Sequence, residues 1–111
     1  MPRRNIAILA ALSWAAIVLS VGPAAADAAA GKAKAQATCA VCHGIDGLAK
    51  VPDAPNLAGE SAIYTTRQLE AFRSGQRQHE QMSIIAEGLS DEDIADLAGW
   101  YASLKVTVEL P

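Results

Sequence analysis

Cysteine is scarce in this chain: Cys39 and Cys42 are the two it has. An ordinary disulfide between them would close so tight a loop that it adds little beyond local rigidity. A closed zinc site wants four ligands, and Cys42 and His43 are adjacent, which makes joint ligation awkward. His79 would have to be the fourth ligand without its usual His-x₃₋₅-His partner. Aromatics are equally few, with two Trp, two Tyr and one Phe. Basic clusters are missing, which argues against nucleic acid and against an anionic lipid surface as partners. No nucleophile–base pair, phosphate loop or separate metal cluster is visible, so independent substrate chemistry is not expected. There is no internal repeat and no low-complexity linker beyond the first residues.

Those first residues read as a secretory leader. Arg3 and Arg4 give a positive start, and Ile6 to Val21 is an uncharged, mostly apolar stretch of 16 residues. That is short of the ~20 residues needed to span a bilayer. Ala24-Ala25-Ala26 supplies small residues at the −3 and −1 positions of a cleavage site before Asp27. The expected division is residues 1–26 as a cleaved signal peptide and 27–111 as one domain, exported to the periplasm of a bacterium. Membrane contact would then come only through partners or an uncleaved signal. The mature part holds seven Lys/Arg against twelve Asp/Glu, a net charge of −5. Its aromatics are Tyr64, Phe72, Trp100 and Tyr101. That is a thin core for a chain of 85 residues, near the lower limit for independent folding.

A bound prosthetic group would supply the missing apolar surface, and the sequence has a place to attach one. Cys39-Ala40-Val41-Cys42-His43 reads as a c-type haem attachment site. Two thiols at this spacing can add to neighbouring vinyl groups on one porphyrin edge. The histidine directly after the second cysteine then lies beneath the ring, where its imidazole can bind iron. A thiol–disulfide redox pair usually sits beside a βαβ pattern, and no strand signal lies near these residues.

The rest reads as about four helices with loops. The first spans about Ala28 to Ala40, with Gly31 as a close-packing point. A loop with Gly44, Gly47, Pro52, Pro55 and Gly59 follows. The second helix spans about Ser61 to Ser74 and ends at Gly75; Ala62, Thr65, Leu69 and Phe72 share its inner face. A short helix covers about Ser83 to Glu87. The last begins at the cap Ser90, followed by Asp91-Glu92-Asp93, where the helix dipole favours acids. Its inner stripe is Ile94, Leu97, Ala98, Tyr101 and Leu104.

Iron with one histidine has an open side. Met82 is the one methionine left after the leader, and it stands between two helices, where a loop can fold a thioether over a ring. His79 is the other candidate ligand, in the polar run Arg77-Gln78-His79-Glu80-Gln81. An open sixth position is the third reading. His/Met ligation leaves no site for a substrate and raises the potential relative to two histidines, which suits a carrier; an open iron would bind gases or peroxide.

With these residues assembled, the chain resembles a class I (monohaem, His/Met) bacterial cytochrome c, and is similar to one half of the tandem dihaem periplasmic carriers. The resemblance runs from Asp27 to about Leu104. It is carried by Gly31-Lys32-Ala33-Lys34, Cys39 to Gly44, Pro55 to Gly59, Gln68 to Gly75, and Leu89 to Ile94 through Tyr101 to Leu104. It implies an all-α fold of about four helices around one covalently bound haem c, with the N- and C-terminal helices packed together. Cys39 and Cys42 would hold the haem through thioethers, with His43 and Met82 as axial ligands. Pro55 matches the proline whose carbonyl accepts the other imidazole hydrogen. Gly31 matches the glycine at the helix crossing, with Leu97 and Tyr101 opposite. Tyr64 and Arg67 are candidates for bonding a haem propionate, against a plain surface or packing role. Ala35 departs from the pattern, since many relatives carry an aromatic there.

The function this implies is a periplasmic electron carrier between redox protein partners, not an enzyme, working as a monomer or as a subunit of a redox complex. Lys50, Arg73 and Arg77 would surround the haem edge and favour acidic partners. Two alternatives stand beside it: a haem subunit held permanently in a dehydrogenase complex, and a gas-binding or sensing haem protein.

Overall fold

A computed structural model describes residue 17 and residues 25–111. All but three residues of the expected leader lie outside the described residues. The described chain contains five helices: α1 (Ala28–Thr38), α2 (Ala40–His43), α3 (Ala62–Ser74), α4 (Met82–Glu87) and α5 (Asp91–Ser103). The sequence led us to expect four. The difference arises at Cys39, whose φ of −113° departs from helical values and ends α1 before a separate turn, α2, begins.

Local chemistry sets the helix ends. Asp27 caps α1: its carboxylate accepts the N–H groups of Ala29 and Ala30. Ser61 caps α3, which stops at Gly75 with φ 82°, a left-handed conformation that costs glycine little. At α5, the Ser90 hydroxyl accepts from the Asp93 amide and the Asp93 carboxylate accepts from the Ser90 amide. That is a full capping box with Asp in place of the usual Glu.

The terminal helices α1 and α5 cross in close contact, and α3 packs on both α4 and α5. The crossing depends on Gly31. A Cβ there would lie 1.9 Å from the Asp96 carbonyl oxygen and 3.0 Å from the Trp100 Cβ. Asp96 and Trp100 therefore face Gly31, where Leu97 and Tyr101 were expected. Those two join Ala35, Leu69, Leu89 and Ile94 in the buried core. The absence of an aromatic at position 35 is thus compatible with a filled interior: Ala35 is fully buried and Tyr101 is 1% exposed.

Candidate functional site

A cavity of about 370 Å³ opens between α2, α3, α4 and α5, walled by apolar side chains that include Leu57, Leu69, Phe72, Ile85 and Leu97. Each wall has a local cause. The end of α1 and the turn of α2 bring Cys39, Cys42 and His43 to one side. The loop after α2 folds back through hydrogen bonds from Lys50 N–H to the Cys42 carbonyl and from Leu57 N–H to the Gly47 carbonyl. This return places Pro55 beside His43. Met82, the first residue of α4, lines the cavity as well.

His43 is 7% exposed, and its Nδ1 lies 2.9 Å from the Pro55 carbonyl oxygen. A carbonyl only accepts, so Nδ1 carries the proton and Nε2 keeps its lone pair for another use. Such a bond fixes the tautomer and the ring orientation of a metal-binding imidazole.

Both thiols are free and partly buried. Burial pushes the Cys39 thiol up to about 11, against a smaller opposing pull from the Tyr101 hydroxyl and the Lys34 charge. Tyr101 is also raised, first by burial and then by its neighbour Cys39. Both groups are therefore neutral near pH 7. The Tyr101 hydroxyl donates to the Gly44 carbonyl at 3.1 Å, and the Trp100 indole N–H donates to the Ile45 carbonyl at 3.1 Å. These two bonds tie α5 to the residues directly after His43. Sequence reasoning missed them because their acceptors are backbone carbonyls, which have no sequence signature.

The other candidates fall on both sides of the cavity wall. Tyr64 lines it and is half exposed. Arg67 is exposed and lies on a shallow surface hollow of α3, away from the cavity. His79 reaches the cavity rim, but its Nδ1 accepts the amides of Gln81 and Met82 at 3.2 and 3.3 Å. Arg77 is also on the rim and stacks over the Phe72 ring at 4.5 Å. Arg73 pairs with Asp91 and donates to the Leu89 carbonyl, which ties α3 to the start of α5. Lys50 pairs with Asp46.

An apolar cavity, two unlinked thiols at one side and an imidazole with its outer nitrogen already bonded together fit a c-type haem. When bound, that group supplies a one-electron iron couple. The residues here would bind it, orient the imidazole and exclude water.

The comparisons with known proteins agree. A family model described as Cytochrome c matches residues 28–105, and the chain belongs to that family. It is 50% identical over 82 residues to cytochrome c-554(548) of Halomonas halodenitrificans, covering 71% of this chain and 98% of that protein. It is 45% identical over 85 residues to cytochrome c4 of Pseudomonas aeruginosa, covering 77% of this chain and 42% of that one. Reduced recombinant cytochrome c4 from Pseudomonas stutzeri superposes with a TM-score of 0.68 at 35% identity, over 76% of this chain and 48% of the other. The chain thus spans nearly the whole of the first relative and about half of each cytochrome c4. It is a haem c protein that transfers electrons between redox partners, and not an enzyme.

Proposed function

We propose that this protein is a periplasmic carrier with one haem c, exported by a leader of residues 1–26 and working through the domain 27–111. Cys39 and Cys42 form the thioethers, His43 is the proximal ligand and Met82 the distal one. Pro55 holds the His43 ring through its carbonyl. Tyr64, on the cavity wall, hydrogen-bonds a propionate. The single observation that carries this reading is the 2.9 Å contact between His43 Nδ1 and the Pro55 carbonyl. It commits one nitrogen to the protein and leaves the other free to bind a metal. Among the described residues no helix is long and apolar enough to cross a membrane.

The test is the intact mass of the exported holoprotein after denaturation. One haem mass retained by the wild type, and lost when Cys39 and Cys42 are both replaced by Ala, supports the reading. Haem that washes away on denaturation overturns it.

A second reading has a specific observation behind it. Relatives from Stutzerimonas stutzeri and Thiomonas intermedia bear the name thiosulfate dehydrogenase electron acceptor. Co-purification of the native protein with a dehydrogenase chain, at fixed stoichiometry, would favour a permanent subunit over a free carrier.

A further inference from the structure

Asp96 sits on α5 at the α1 crossing and is 7% exposed. Its Oδ1 accepts a hydrogen bond from the backbone nitrogen of Asp27 at 2.7 Å, across 69 residues of sequence. The ion pairs among the described residues join Lys34 to Asp93, Lys50 to Asp46 and Arg73 to Asp91. None reaches Asp96. Lys32, the other cation of α1, lies over the Trp100 ring at 5.4 Å. Asp96 is largely buried, and the donor it has among the described residues is the neutral Asp27 amide, which compensates a carboxylate less than a cation would.

We propose that cleavage of the Ala26–Asp27 bond supplies the missing cation, because the new α-ammonium of Asp27 is created against the Asp96 carboxylate. This rests on the reading of residues 1–26 as a removed leader. Hydrolysis by a leader peptidase adds one water across the amide. Ala26 departs as a carboxylate with the leader, and the Asp27 amine takes up a proton. The nitrogen already stands in place, so a neutral donor becomes a charged one without rearrangement. Charge-assisted bonds of this kind are roughly twice as strong as neutral ones.

The surroundings make the position specific. A positive group at a helix N-terminus is opposed by the helix dipole. Here the Asp27 carboxylate, which caps α1 through Ala29 and Ala30, and Asp96 both offset that repulsion. Cleavage one residue earlier would leave a neutral amide facing Asp96. Cleavage one residue later would remove the cap and the donor together. The crossing so tightened carries Cys39 at the end of α1 and Leu97 and Tyr101 on α5, all of which line the cavity. Processing would therefore strengthen the frame of the haem site after export.

The experiment uses exported holoprotein. Its intact mass first reports the terminus. A chain that does not begin at Asp27 overturns both the leader boundary and this proposal. Given that terminus, urea unfolding is compared for the wild type, for a variant with Gly-Ser inserted between Ala26 and Asp27, for Asp96→Asn, and for the combination. The insertion is expected to lower the folding equilibrium constant roughly tenfold when Asp96 is present, and to have no such effect with Asp96→Asn. Equal losses in both backgrounds, or none in either, refute the ion pair while leaving the leader boundary intact. A second measurement avoids any variant at position 96: acetylation of the α-amine near neutral pH should be markedly slower in the folded wild type than in the Gly-Ser insertion. Equal rates overturn the proposal.

Discussion

The hydroxyl of Tyr101 donates to the carbonyl of Gly44 at 3.1 Å, a buried bond between residues 57 apart that fastens the last helix to the end of the haem-binding turn. The Gly44 carbonyl also accepts from the Gly47 amide. Removing the hydroxyl therefore does not orphan the carbonyl. Tyr101→Phe should cost about 1 kcal/mol, the ordinary net worth of one hydrogen bond. Urea denaturation of the holoprotein measures it. A loss near zero would mean that the bond does not contribute to holding α5.

The α1–α5 crossing predicts a sharp contrast between two glycines. A Cβ at Gly31 would meet the Asp96 backbone oxygen at 1.9 Å, whereas one at Gly88 meets only the Ile85 carbonyl at 3.6 Å. Gly31→Ala should destabilise by about 3 kcal/mol or more, since backbone must move to relieve the overlap. Helix propensity returns only about 1 kcal/mol. Gly88→Ala, at φ −84°, should change stability by about 0.5 kcal/mol or less. Thermal unfolding of the two variants side by side tests the crossing, and equal effects would refute it.

The capping box of α5 gives a pH signature. The Asp93 carboxyl is held below its ordinary value, first by the Ser90 amide and then by Lys34. Its folded pKa lies below its unfolded one, so its ionised form stabilises the fold above the unfolded value of about 3.9. That contribution disappears as pH falls through the folded value. The stability gap between wild type and Asp93→Asn should be constant above about pH 5 and narrow below about pH 4. Ser90→Ala should cost about 1 kcal/mol at neutral pH. Stability curves at a series of pH values check both, and a gap that widens in acid would contradict the sign.

Much of the site could be read from consecutive residues. Cys39, Cys42 and His43 carry their meaning in their spacing, and Ser90 with Asp93 does the same for the start of α5. The buried stripe Ile94, Leu97, Ala98 and Tyr101 followed from helical periodicity, and all four are 1% exposed. Pro55 came by resemblance only, because an acceptor carbonyl is common to every residue. In the sequence Asp96 is one more acid on the last helix. Its hydrogen-bond partner Asp27 is distant in sequence and acts through its backbone nitrogen. The break at Cys39 was equally invisible, since the alanine-rich run before it and Ala40 directly after it favour an unbroken helix. Arg73 read as a rim cation, but its partner Asp91 lies 18 residues away.

The most direct test of the account is the optical spectrum of oxidised holoprotein made with haem-maturation machinery, for the wild type, Met82→Ala and His79→Ala. The weak far-red sulfur-to-iron band should be present in the wild type, absent in Met82→Ala, and retained in His79→Ala, where only the hydrogen bonds to the Gln81 and Met82 amides are lost. A band that survives Met82→Ala, or a wild type that lacks it and binds carbon monoxide readily when reduced, would contradict His43/Met82 ligation and with it the closed-site carrier.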